Sequence, residues 1–327
     1  MKKIIFLLLI ASCSYAMDVK VKGFIKAEVV QSQSGVGSLG NIYSHVATTR
    51  ALNTDAGATE QEKAYLSSSA TSIQTAQSRF SLTATEGDLK TVIEFDLLDG
   101  ESGFTNQTAI QNQEPRVRLA TIYYNLSEEF TVFAGQKWNT ASGNKAVGSF
   151  NFVGNGFQAG NTGFLAQEFG LSYDKNNLSL TGAISGKGKN KDANGVNNNE
   201  LDSNPGIALD ANYKINNFKF GLAHISAELA FESEKNYVSG DNVTASLSKF
   251  YLDYKTSEFR IFGEYYLGNS ISNLNALGIA PGTSGGTVSR NYFESGYWLS
   301  AKYNMNKKSS FTIGHGTAEV DSEQQNI

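Results

Sequence analysis

Apolar and polar residues alternate along most of this chain in runs of about ten, each ending at a very short polar break after which the alternation resumes. Four units show the scheme plainly. They are Tyr124-Asn125-Leu126-Ser127-Glu128-Glu129-Phe130, Tyr213-Lys214-Ile215-Asn216-Asn217-Phe218, Tyr254-Lys255-Thr256-Ser257-Glu258-Phe259, and the stretch from Tyr303 to Phe311. Tyr173 to Leu178 is a variant, and Thr85-Glu86-Gly87-Asp88 is a turn without flanking aromatics. A glycine follows most turns a few residues on: Gly135, Gly182, Gly221, Gly263 and Gly314. Aromatic rings bracketing a turn suit the headgroup level of a membrane, where their apolar bodies and polar edges are both satisfied.

Between the turns the pattern predicts about thirteen strands, over 18–30, 74–85, 88–98, 116–126, 129–138, 166–174, 177–185, 207–215, 217–227, 247–255, 258–267, 295–304 and 308–317. Short connections alternate with long ones at 31–73, 99–115, 139–165, 186–206, 228–246 and 268–294. Short turns on one side and long Gly-, Ser-, Asn- and Thr-rich loops on the other are the asymmetry of outer-membrane barrels. The alternation also assigns faces. Phe80 and Leu82 oppose Arg79, Ser81 and Thr83; Leu89, Thr91, Ile93, Phe95 and Leu97 oppose Lys90, Glu94 and Asp96; Phe250, Leu252 and Tyr254 oppose Lys249, Tyr251 and Asp253. A soluble sandwich alternates too, with its apolar face inward. The repeated tight turns, the strand length and the 15 Tyr and 20 Phe favour an all-β transmembrane antiparallel barrel in one domain, 17–327.

Thirteen is an awkward count. With the mature N-terminus in the periplasm, the thirteenth strand rises and the chain stops on the far side, whereas bacterial single-chain barrels have even strand numbers and closed sheets leave no unpaired edge. The expectation is a barrel incomplete at its C-terminus, or an end that pairs irregularly; three further strands would make sixteen.

Composition narrows the class. With 32 Gly, only 3 Pro and a mean hydropathy of −0.29, the chain has no apolar run approaching the ~20 residues of a membrane-spanning helix. Ile4 to Ala11 is too short for that and follows Lys2 and Lys3. With Ser14 and Ala16 behind it, residues 1–16 read as a secretory signal peptide cut after Ala16. The rival reading takes Ile10-Ala11-Ser12-Cys13 as a lipoprotein box, leaving Cys13 lipidated. Cys13 is the single cysteine, so cleavage after Ala16 leaves none, which suits an oxidising periplasm. Loss of Lys2 and Lys3 moves the formal charge from −4 to −6, which argues against a nucleic-acid partner.

Five blocks resemble a known family. They are Gly23-Phe24-Ile25-Lys26-Ala27; Gln77-Ser78-Arg79-Phe80; Gly87-Asp88-Leu89-Lys90-Thr91-Val92-Ile93-Glu94-Phe95-Asp96; Pro115-Arg116-Val117-Arg118-Leu119-Ala120; and Ala134-Gly135-Gln136-Lys137-Trp138. Together, and in this order, they are similar to the first strands of the DcaP-like trimeric outer-membrane porins; from residue 139 only the hairpin rhythm is shared. The resemblance implies a sixteen-stranded homotrimer in the bacterial outer membrane that passes small, often anionic, hydrophilic solutes.

If Phe80, Leu82, Val117 and Leu119 face lipid, then Arg79, Arg116 and Arg118 point into a lumen. Lys26, Lys90, Lys137, Lys249 and Arg260 fall at polar-face positions as well, with Glu94, Asp96, Glu168, Asp210, Asp253 and Glu264 as acidic partners. Fixed charges lining a pore set which ions enter, and guanidinium groups grip carboxylates bidentately without losing their proton. The alternative is that most of these charges pair across the wall and brace it. The 139–165 loop carries Phe150, Phe152, Phe157 and Phe164 among glycines and is expected to fold inward as a constriction.

His45, His224 and His315 are scattered, and Asp192 to Asp202 lacks an EF-hand spacing, so neither a metal nor a cofactor is implied. Gly154-Asn155-Gly156 lacks the context of a phosphate loop. The reading is a porin and no enzyme. Its rivals are a plugged surface barrel acting as an adhesin, and a barrel hydrolase with a Ser–His or Asp–His pair on its rim or lipid face.

Overall fold

The computed structural model of the protein describes residues 17–26, 28–32, 70–74, 78–97, 115–141, 162–163, 165–186, 205–230, 242–274, 293–306 and 309–320. Its strands are β1 (Asp18–Phe24), β2 (Glu28–Ser32), β3 (Ala70–Gln74), β4 (Arg79–Glu86), β5 (Leu89–Asp96), β6 (Arg116–Asn125), β7 (Phe130–Trp138) and β8 (Leu165–Lys175). They continue with β9 (Leu178–Ser185), β10 (Gly206–Ile215), β11 (Phe218–Ala230), β12 (Asn242–Lys255), β13 (Phe259–Asn269), β14 (Phe293–Asn304) and β15 (Ser310–Val320). One antiparallel sheet of thirteen strands runs β1-β4-β5 and then in chain order to β15, while β2 and β3 pair separately. The first two expected strands are therefore each broken in two, at the point where the Lys26 backbone N–H donates to Ser78 Oγ at 3.1 Å. Among the described residues, the end strands β1 and β15 pair only with β4 and β14, not with each other.

Local chemistry explains the turns. Gly87, Asn176 and Asn216 have φ of 54°, 54° and 51°, the left-handed conformation that two-residue hairpins demand and that Gly and Asn adopt most easily. The longer turns are held by side chains. Ser127 Oγ accepts the Glu129 and Phe130 N–H groups, both at 3.2 Å, and Thr256 Oγ1 accepts the Phe259 N–H at 2.9 Å. The Tyr that ends one hairpin lies against the Phe that opens another, with ring centroids 4.9 Å apart for Phe130–Tyr173, 4.6 Å for Phe218–Tyr254 and 4.8 Å for Phe259–Tyr303. These pairs form an aromatic band along the short-turn edge.

The two faces of the sheet are inside-out relative to a soluble fold. One face exposes Phe80, Leu82, Phe169, Leu171, Leu209, Leu222, Phe250, Ile261 and Leu299; Leu222 alone is 64% exposed. The other buries Asp96, Arg118, Glu168, Asn212, Lys249, Glu264, Glu294 and Ser300 beside small residues such as Ala183, Ala208 and Ala245. The buried face is concave. The Thr162 N–H donates to Glu264 Oε1 at 2.9 Å, although Leu165, three residues on, opens β8 and Glu264 lies on β13. In a flat sheet those strands would be five spacings, about 24 Å, apart, while three residues of chain reach at most ~11 Å and a Glu side chain covers only part of the rest. The wall must curl toward Glu264. Polar-in, apolar-out, curved and antiparallel, it is the architecture of a transmembrane β-barrel. Beyond β13, a single 3-10 turn, Ile271–Leu274, brings buried Ile271 and Leu274 into the same cluster as Ile225, Ala245 and Leu247.

Candidate functional site

The concave face is where polar chemistry concentrates, and a bulge shapes its first cluster. Between β5 and β6 the register slips so that Glu94 faces Leu119 and Phe95 faces Val117, leaving Arg118 as the extra residue. The expected placement of Leu119 on the lipid side is thereby corrected. The bulge turns it to the Glu94 side, and Ala120 and Ile122 take the outward positions. The carbonyls the bulge frees are not left bare, because Gln136 Nε2 donates to the oxygens of Val117 and Arg118 at 3.1 and 3.0 Å. Gly135, opposite, sits at φ 123°, and a Cβ there would lie 2.1 Å from the Ala120 oxygen, so no other residue fits.

Around the bulge, three guanidinium groups meet two carboxylates. Arg116 forks onto Asp96, with Nε–Oδ1 at 3.0 Å and Nη2–Oδ2 at 2.7 Å. Arg118 donates to Glu94, approaches Asp96 Oδ2 at 3.8 Å, and stacks over Trp138 at 4.7 Å. Arg79 lies directly across the ladder from Asp96 yet makes no hydrogen bond or ion pair among the described residues. Its buried Nε is unpartnered, and its guanidinium lies 5.9 Å from the Phe24 ring. Two of the three arginines are thus committed to the wall and one is not.

The other sequence candidates are dispersed. Lys137 donates to Glu168 Oε2 at 2.8 Å and lies 4.5 Å from the Phe133 ring centroid. Arg260 forks onto Asp253 at 2.9 and 2.8 Å. Lys90 is exposed beside the Gly87–Asp88 turn, 5.7 Å from the Tyr123 ring centroid, and Lys26 sits at the break between β1 and β2. Phe150, Phe152, Phe157 and Phe164 lie outside the described residues, as do residues 1–16, the expected leader with Cys13 in it.

Three interactions on this face were not singled out as sites by sequence reasoning. Lys249 and Glu264, both with fully buried side chains, pair at 3.1 Å and hold Thr162 between them. Tyr251 donates to Asp210 Oδ1 at 2.9 Å, with Asn212 donating to the same carboxylate at 3.1 Å. Tyr266 donates to Glu294 Oε1 at 2.8 Å. Their alternation marked most of these residues as inward, but nothing local marks which of them meet.

The outer wall also holds a pair of interest. His224 Nδ1 lies 2.9 Å from Ser248 Oγ on the apolar side, in a groove of about 820 Å³ lined by Leu171, Leu209, Leu222, Phe250 and Leu267. This is the nucleophile–base contact that a hydrolase would start from. Among the described residues no carboxylate bonds the imidazole, and Ser248 sits mid-strand with ladders on both sides, where free backbone donors for an oxyanion are lacking. No three His, Cys, Asp or Glu side chains gather to hold a metal among the described residues.

No family model matches the chain, and no curated protein does. Solved structures do. The anion-selective porin from Comamonas acidovorans is 13% identical, with a TM-score of 0.44 over 93% of this chain and 90% of its own. A second porin is 11% identical, with a TM-score of 0.43 over 93% and 96%. OccAB1 of Acinetobacter baumannii is 10% identical, with a TM-score of 0.41 over 94% and 91%.

Proposed function

We propose that this chain is an outer-membrane porin, a passive diffusion channel for small hydrophilic solutes with a preference for anions. The observation that supports it best is the inverted polarity of the wall. Buried charges and amides line the concave side of a curved sheet whose convex side is apolar and ringed by Tyr and Phe. Water-filled barrels need that arrangement, because a charge facing the middle of the lipid layer is costly and a solute path requires polar groups within. The anion preference rests on the bulge cluster, where three guanidinium groups face two carboxylates and Arg79 keeps its donors for a passing carboxylate, phosphate or chloride.

The finer reading follows the family resemblance. It is a trimer of DcaP-like type, exported with residues 1–16 as a cleaved leader, its 139–165 segment narrowing the lumen. Single-channel recording in planar bilayers, with reversal potentials in a salt gradient, tests the function. Stepwise conductance with chloride favoured over potassium is expected. A protein that inserts and never conducts is a plugged barrel, and release of fatty acid from phospholipid vesicles would bring the His224–Ser248 pair forward instead.

A further inference from the structure

Five adjacent strands, β10 to β14, each place a cation on the concave side of their short-turn ends. Lys214 of β10 stands directly across the ladder from Lys219 of β11, and Arg260 of β13 stands across from both Lys255 of β12 and Lys302 of β14. Their strand neighbours Tyr213, Phe218, Phe259 and Tyr303 belong to the exposed apolar face, so the cations point the other way. Like charges directly opposite one another destabilise a sheet, and this stretch of wall holds three such pairs side by side. The nearby carboxylates do not answer them. Asp253, across from Lys219, is already forked by Arg260 at 2.9 and 2.8 Å; Asp210, higher on β10, takes Tyr251 and Asn212; Glu258, in the β12–β13 turn, pairs with none of them. The side chains of Lys214, Lys219, Lys255 and Lys302 make no hydrogen bond or ion pair among the described residues. Higher on the same face the wall does neutralise its lysines, Lys137 by Glu168 at 2.8 Å and Lys249 by Glu264 at 3.1 Å.

We infer that this basic crescent binds a small phosphate-class anion carrying two or more charges, whose oxygens bridge the paired cations. Cross-strand partners have Cβ atoms about 5 Å apart, close enough for two ammonium groups to converge on one tetrahedral anion. Lysine meets phosphate as a point charge, whereas a lone carboxylate is better matched by a guanidinium fork, and the one arginine here already grips Asp253. The crescent spans four strand spacings, roughly 19 Å, so it has room for a di- or triphosphate. Its role as a place where such anions gather before passage rests on the porin reading, in which these strand ends form the short-turn mouth of the channel.

The test is calorimetric titration of the full chain in phospholipid nanodiscs with pyrophosphate at low salt, where screening is weakest. Removing one cation from each group, Lys219→Gln with Lys302→Gln, is expected to weaken binding by about 1.5- to 5-fold per lysine, roughly 2- to 25-fold together. Lys175→Gln takes the same unit charge from the same turn edge, but Lys175 is already paired with Glu129 at 2.7 Å, so binding should stay at the wild-type level. Relief of like-charge repulsion should also raise the urea midpoint of the double variant above wild type, and saturating pyrophosphate should narrow that gap by stabilising the wild type more. No binding to the wild type, unchanged binding in the double variant, or an equal loss in Lys175→Gln overturns the inference. A wild type that binds pyrophosphate but never conducts in planar bilayers sinks the porin reading and leaves the site; one that conducts and does not bind sinks the site alone.

Discussion

Placing an arginine at Leu222 asks directly whether the apolar face meets lipid. Leu222 is 64% exposed on the convex side of β11, four residues past Phe218 in the aromatic band. Four residues rise ~14 Å along a strand, or about 10 Å along the membrane normal at a ~40° tilt, close to the middle of a ~25 Å apolar band. A charge there costs about 2–4 kcal/mol, a fall of roughly 30- to 700-fold in the folded-to-unfolded ratio. Glu228 projects from the same strand ten residues past Phe218, which by the same arithmetic puts it at the far interface, where Glu228→Arg costs only ~0–1 kcal/mol. Urea unfolding in phospholipid vesicles, followed by heat-modifiable mobility, measures both. In water an exposed Leu→Arg change stays within about 0.5 kcal/mol. A Leu222→Arg cost no larger than that, or no larger than that of Glu228→Arg, would refute a lipid-facing wall and return the chain to the sandwich reading.

Gly221→Ala should destabilise by about 1–3 kcal/mol, since its Cβ would lie 2.0 Å from Tyr251 Cζ, and Tyr251→Leu in the same chain should remove most of that cost; additive unfolding energies would show that the ring is not the obstacle. A double-mutant cycle of Arg116→Gln and Asp96→Asn should give a coupling of about 1–3 kcal/mol for the two-pronged pair, and a value near zero in unfolding experiments would mean the fork does not brace the wall. Arg79→Gln should lower chloride-over-potassium permeability more than Arg116→Gln, because Arg116 is already neutralised by Asp96; equal shifts in reversal potential would contradict the free role given to Arg79.

The strand plan was legible because a strand's period is two and its turns carry their own chemistry. The thirteen strands read from alternation reappear as the thirteen-stranded sheet, with Asn176, Asn216 and Gly87 at the hairpin bends that their types announce. The departures fall where the period is interrupted by something the period cannot encode. One is the break that splits each of the first two strands at Lys26 and Ser78. Another is the extra residue at Arg118, which moves Leu119 from the lipid side to the Glu94 side while both neighbouring arginines stay inward. A bulge costs the sequence one residue and leaves no composition signature, yet it decides what faces the lumen.

Partnership was less legible than facing, and the reason is geometric. Alternation identifies Lys249, Glu264 and Glu168 as inward but says nothing about height along the barrel or about which of several inward carboxylates each cation reaches. Arg116 meets Asp96 because the β5–β6 register puts them opposite. Arg79 is opposite Asp96 as well, and it is left over because that carboxylate is already gripped from the other side. Contact across the concave face lies further still from sequence reasoning, since Thr162 and Glu264 are 102 residues apart and meet only if the sheet curls. The same curvature that turns a hairpin meander into a barrel wall brings Thr162, three residues before β8, within reach of a carboxylate on β13.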